Sequence, residues 1–473
     1  MTSARHAPAP NPVATFILLF GLAISYLMLS GDTPSALAHN AAIGIGASLL
    51  ASVIADYRRN LRNLVRTDIM ALAALYFLTL FEFLGAQPAF DYLVTVEETK
   101  LALPLCHLAF AAIGIGRHWS PRASPALQAA LRREFPPRLL LTLFWVAIIG
   151  GYFYQLAAVN FRVGEWFDYL MAPRFSQPWS RGRLGDWKAL VGELGMVVNL
   201  APPIAGIIFA NRRDYRRNTL LLVGVGLALT LFTAFAGGTR NVLATYLATF
   251  SVAFAFSMPP ERKREMLAVC LGSAAALLLC TVVMLEFRNI GFKNYLDGHR
   301  VAENETTTNA LFVDYNLYVM AKLTGAFPEH HPYLGFEIPY LAVIRPIPRA
   351  IWPGKPEGMS MSIEDSLGVE GLTLASSFIG EAFISGGRFG VIITGLCFGS
   401  IFGWWNRFGS PGNSPFGHLV FASGFFAAVI SMRSMLVFTT AILPTIAAIL
   451  LGFWLLRTRP VQRLIHPHDA PEA

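Results

Sequence analysis

The sequence predicts an all-α polytopic membrane protein. Three observations carry this. Hydrophobic residues make up 54% of the 473-residue chain and charged ones only 14%. The mean hydropathy is +0.50. Long apolar runs alternate with short polar segments, and every second one is basic. A water-soluble chain carries roughly 25% charged residues. The runs here approach the roughly 20 residues that cross about 30 Å of hydrocarbon as a helix. Backbone groups in lipid have no water to bond, so helices are the expected form.

In order, the apolar runs fall at 12–30, 38–56, 68–84, 101–116, 139–159, 190–210, 220–235, 242–258, 266–287, 389–405, 417–432 and 435–455, about twelve in all. This divides the chain into an N-terminal bundle of about nine helices (1–287), a long loop region (288–388), about three closing helices (389–456) and a tail (457–473). Gly and Ala recur inside the runs, as close helix packing in lipid requires.

The basic clusters set the orientation. They include Arg58, Arg59, Arg62 and Arg66 after the second run, Arg117, Arg122, Arg132, Arg133 and Arg138 after the fourth, and Arg212, Arg213, Arg216 and Arg217 after the sixth. Further clusters follow the eighth and twelfth runs, so the positive-inside rule places both termini in the cytoplasm. The net charge of +8 is spread over these loops. It therefore does not point to nucleic acid. The four cysteines, Cys106, Cys270, Cys280 and Cys397, lie in apolar runs and read as packing residues. His107 and Glu193 are polar groups inside runs, and helix-to-helix hydrogen bonding is the preferred reading for both. No ATP-binding, metal or cofactor motif is present.

The extracytoplasmic side carries the chemistry. Residues 288–388 form a long loop rich in aromatic and aliphatic residues, expected to fold against the outer face of the bundle. Within it, Pro346, Pro348, Pro353 and Pro356 stiffen a backbone that bears Arg345, Arg349 and Lys355 beside Trp352. Guanidinium groups bind phosphate bidentately, and lysine acts as a point charge. Gly237-Gly238-Thr239-Arg240 turns into an inward-running helix, a place where an anion meets free N–H groups and a cation. Arg288 follows the ninth run, Arg433 lies between the last two, and Glu381 is a candidate base or ion-pair partner. Together these suit an anionic, activated, lipid-linked sugar.

The stretch Arg345-Pro346-Ile347-Pro348-Arg349-Ala350-Ile351-Trp352-Pro353-Gly354-Lys355-Pro356, followed by Ser376–Phe383 and Gly386-Gly387-Arg388-Phe389-Gly390, resembles the Wzy-type O-antigen polymerases, the oligosaccharide repeat-unit polymerases. The likeness is sharp over about 345–390 and covers the remainder only in general plan. It implies a GT-C-like bundle in a bacterial inner membrane. It also implies a metal-independent glycosyltransferase that joins undecaprenyl-pyrophosphate-linked oligosaccharide repeat units at the periplasmic face, with no cofactor. A flippase and a chain-length regulator are the implied partners. The site residues it suggests are Arg240, Arg288, Arg345, Arg349 and Arg433; the reading of the residues themselves adds Lys355 and Glu381. An O-antigen ligase has a similar plan and relies on a periplasmic histidine, for which His330 and His331 stand in the long loop. A transporter or flippase of lipid-linked glycan, from another class, would instead carry charges lining the bundle and inverted repeats.

Overall fold

The computed structural model describes residues 9–57, 61–173, 176–179, 195–287, 290–299, 316–347, 351–356, 358–361, 363 and 375–457. Its principal helices are α1 (Pro12–Leu27), α2 (Pro34–Tyr57), α3 (Thr67–Thr79), α4 (Val96–Gly116), α5 (Pro137–Ala158), α6 (Ala201–Ala210), α7 (Arg217–Ala236), α8 (Arg240–Ser257), α9 (Lys263–Phe287), α10 (Asn316–Ala326), α11 (Glu337–Ile344), α12 (Ser377–Asn406), α13 (Pro415–Arg433) and α14 (Leu443–Arg457). No strand occurs among the described residues. Local chemistry sets several starts. Asn11 caps α1 by accepting from Val13 N, with proline next in line. Thr95 and Glu98 form a reciprocal capping box on α4. Ser414 caps α13 from the side chain, again ahead of a proline.

Eight helical stretches among the described residues are long and apolar enough to cross a membrane: Pro34–Asp56, Val96–Gly116, Pro137–Ala158, Arg217–Ala236, Lys263–Met284, Ser377–Asn406, Pro415–Arg433 and Met435–Leu455. The other four expected runs give less. Pro12–Leu27, Thr67–Thr79 and Gly195–Ala210 are apolar but shorter, and 190–194 lie outside the described residues. The run at 68–84 stops early because α3 ends at Thr79 and gives way to a 3-10 turn at Phe81–Leu84. The run at 242–258 becomes the 18-residue α8. It carries buried Thr245, Tyr246, Thr249 and Ser251 and packs on α6 and α13. A helix enclosed by other helices does not need a wholly apolar surface.

Small residues set how closely the helices approach. In α12, Gly395, Gly399 and Gly403 recur every fourth position on one face, against α4. A Cβ at Gly399 would overlap the Ile113 carbonyl, and one at Gly403 the Arg117 carbonyl. Gly116 meets the Leu396 carbonyl from the other side. The α12–α4 contact is thus backbone against backbone, which gains dispersion energy in a medium where lipid tails supply no hydrophobic drive. The long-loop helix α10 joins the same core. It buries Leu317, Val319, Met320, Ala321 and Leu323 with residues of α2, α4 and α12.

At the end of the bundle where the basic loops lie, the structure corrects one expectation. Arg66 and Arg117 count among the basic loop clusters, but their side chains are sealed inside the bundle, 0% and 1% exposed. Arg66 donates to both oxygens of Asp56 and of Asp68, at 2.8–3.0 Å. Arg117 donates to Asp68 (3.0 Å) and to Thr15 Oγ1 (2.6 Å from Nη2). Asn406 donates to Asp68 and accepts from Thr67 N. Asn11 N donates to Asp56. Two cations and two anions are therefore neutralised inside protein, joining α1, α2, α3, α4 and α12. Burial alone would lower the Arg66 pKa, but the Asp68 and Asp56 carboxylates outweigh it and hold the guanidinium above its ordinary value.

Candidate functional site

At the opposite end of the bundle the chain makes a break inside α12. Gly386 (φ −165°, ψ 30°) and Gly387 (φ 62°, ψ −148°) leave helical geometry. The Gly387 conformation is open essentially only to glycine. The break frees carbonyls of the preceding turn, and the long loop takes them up. Leu334 N donates to Ile384 O (2.8 Å) and Gly335 N to Ser385 O (2.9 Å). Tyr333 lies against Gly387, where a Cβ would meet its hydroxyl, and its ring packs edge-on against Phe383. A Cβ at Gly390 would overlap the Ala382 carbonyl. The glycines of Gly386-Gly387-Arg388-Phe389-Gly390 thus have a backbone reason. From the break to Asn406 the helix runs about 28 Å, so Glu381 sits a full span away from the Arg66 network.

Glu381 lies on the short first segment of α12 and is 6% exposed. Its carboxylate accepts from Ser434 Oγ, from Met435 N (2.6 Å) and from Leu436 N (3.4 Å). These donors open the 3-10 turn Met435–Val437 that follows α13. Glu381 therefore pins the chain immediately after Arg433, the half-buried last residue of α13. Helix α11 packs on this same turn and on α12, and Thr439 Oγ1 donates to Ala342 O. Arg345, exposed at the C-terminal end of α11, is carried by that helix to the side of the turn that Glu381 holds. Arg345, Glu381 and Arg433, distant in sequence, thus share one corner.

The remaining predicted residues divide as follows. Arg240 opens α8. The far end of that helix bonds the start of α13 through Ser257 Oγ and His418 Nδ1 (2.9 Å). The two helices are antiparallel, so Arg240 and Arg433 lie at the same end of the bundle. Lys355 donates to the carbonyls of Arg345 (2.9 Å) and Ile347 (2.8 Å), so its ammonium ties the proline-rich turn to itself. Arg288 and Arg349 lie outside the described residues, as does Glu193. His330 is exposed on the turn after α10, and His331 packs at a tilt against Phe327. His107 bonds Ser25 Oγ (3.0 Å) and the Leu103 carbonyl (2.9 Å), the helix-to-helix role preferred for it.

Sequence reasoning did not single out Ser434 or Tyr333. Ser434 had no signal beyond its place after Arg433. Tyr333 was one aromatic among many. A comparison with family models, with curated proteins and with solved structures finds no match. The functional reading therefore rests on the residues themselves.

Proposed function

We propose that the protein is a polysaccharide polymerase of about twelve transmembrane helices and GT-C-like architecture. It would join undecaprenyl-pyrophosphate-linked oligosaccharide repeat units at the periplasmic face of a bacterial inner membrane, with both termini cytoplasmic. The single observation that carries this reading is the gathering of Arg345, Glu381 and Arg433 in one corner, at the end of the bundle away from the basic loops. Arg240 adds a cation at the same end. The three shorter apolar helices and α8 would supply the remaining crossings.

In the reaction proposed, an acceptor sugar hydroxyl attacks the anomeric carbon of the donor glycan. The new C–O bond forms as the bond from that carbon to the pyrophosphate oxygen breaks. The hydroxyl proton passes to water at the membrane surface, and the lipid pyrophosphate departs with the electron pair. Arg345, Arg433 and Arg240 would stabilise the negative charge that grows on the leaving group. Both substrates are already lipid-linked, so the bilayer confines them to the protein's plane. Flippase and chain-length regulator are the partners such an enzyme requires.

Glu381 enters this scheme as a positioning residue, because its oxygens are occupied by Ser434, Met435 and Leu436. Under this reading Glu381→Gln lowers kcat roughly tenfold or more through a loosened Arg433. The shape of the rate–pH profile is retained. A profile that loses its acidic limb in Glu381→Gln would make Glu381 the base instead.

One observation favours a second reading. His330 is exposed on the long loop near Tyr333, as an O-antigen ligase would need. Gel analysis of surface glycan in a deletion strain separates the two. Single-repeat products are expected for loss of a polymerase. Long unattached chains would indicate a ligase, and an unchanged ladder would remove both.

A further inference from the structure

Helix α11 is apolar on every side. Its inner face buries Ile338, Leu341, Ala342 and Ile344, packed on α12 and the turn after α13. Its outer face carries Phe336, Tyr340 and Val343 at helical spacing, and these are 87%, 48% and 69% exposed. Exposed apolar side chains continue at Ile347 and Ile351. The charged residue in the helix, Glu337, has its carboxylate engaged by Ser360 through backbone N and Oγ. A helix that is apolar all round belongs in apolar surroundings, and a contiguous exposed patch of large hydrophobic residues marks a membrane or protein contact.

We propose that α11 and the turn after it are seated in the membrane leaflet at this end of the bundle, with Phe336, Tyr340, Val343, Ile347 and Ile351 in contact with lipid. Two observations choose lipid as the occupant. The first is continuity. α11 packs beside α12 and the Met435–Leu455 span, whose exposed side chains Phe389, Ile393 and Ile401, and Ile446, Leu450 and Trp454, form the surface a spanning helix turns to lipid. The second is charge. The helix itself ends at exposed Arg345, with Lys355 tied to the carbonyls beside it. Cations at the end of an apolar helix match the phosphates of lipid headgroups. The loop segment is then part of the membrane surface, and Arg345 stands at headgroup level, where a lipid-borne phosphate arrives sideways from the bilayer. The seating goes beyond the polymerase reading and does not require it.

The test uses the full-length chain in phosphatidylglycerol-containing nanodiscs, with Cys106, Cys270, Cys280 and Cys397 replaced by alanine. Phe336→Cys, Val343→Cys and Ile351→Cys are each labelled with a nitroxide. Collision rates with oxygen and with a water-soluble nickel chelate are then measured. Labels at Leu271, exposed on α9, and at His330 give the lipid and water references. The expected result is an oxygen-dominated signal at all three sites, several-fold above the nickel signal and matching Leu271. A nickel-dominated signal like that of His330 would overturn the proposal. So would low access to both, which means cover by protein, whether a second copy or another chain. Should the cysteine-free chain not fold, benzoylphenylalanine placed at Val343 in the otherwise unaltered chain is photolysed in membranes. A lipid adduct is expected, and a protein adduct or no lipid adduct refutes the seating.

Discussion

Arg433→Ala is expected to abolish glycan chain growth while the protein still accumulates in the membrane. Arg433 is the last residue of α13, and the residues just after it are held by Glu381. Its position is therefore set by the fold before any substrate arrives. Under the proposed reaction, charge develops on a departing pyrophosphate. Removing one preorganised donor to such a charge costs roughly a hundred- to a thousand-fold in rate, about 3–4 kcal/mol. Arg345→Ala is expected to fall in the same range. The double variant should lose less than the product of the two, because both would act on one leaving group. Arg433→Lys keeps the charge but not the planar fork, and should recover only part of the activity. The measurement is the ladder of glycan lengths from intact cells, alongside transfer by purified protein. A wild-type ladder from Arg433→Ala and Arg345→Ala would take this corner out of the reaction.

Asp68→Ala should destabilise the fold rather than disable the chemistry. Asp68 accepts from Arg66, Arg117 and Asn406 with its side chain 0% exposed. Its removal leaves two buried guanidinium groups to share Asp56. Breaking a buried pair by deleting one partner costs about 3–5 kcal/mol, because the remaining charge stays out of water. The chain elements joined here are the ends of several helices, so the loss loosens one whole end of the bundle. Thermal unfolding in detergent should show a large fall in Tm. The exposed pair Lys293–Asp168 (2.7 Å) supplies the contrast. Lys293→Ala should leave Tm unchanged, since water and salt screen that pair. Equal stability of Asp68→Ala and the wild type would mean that Arg66 finds water, contrary to its burial.

The parts of this fold that could be read in the sequence are those governed by neighbouring residues. Apolar runs located the eight long helices, and the run at 435–455 was placed almost to the residue. Helix length was less legible. The run at 68–84 looked long enough, yet its helix ends at Thr79. The end of a helix depends on what packs around it as well as on hydrophobicity. Likewise Gly386-Gly387 was visible as a motif. Its role as a break filled by Leu334 and Gly335 was not, because those donors come from a loop some fifty residues earlier.

The same division holds for charge. An arginine between apolar runs has one appearance in the sequence whether it faces solvent, like Arg345, or lies sealed within the bundle, like Arg66 and Arg117. What differs is the partner, and Asp56, Asp68 and Thr15 reach Arg66 or Arg117 from separate helices.

The sequence by itself determined that this chain is helical and built for a membrane, since the free energy of apolar residues in water or lipid is set by composition and period. Only the tertiary structure decided which charges are buried together and that Glu381 holds the chain beside Arg433. Those outcomes depend on distances between residues far apart along the chain, which no local pattern encodes.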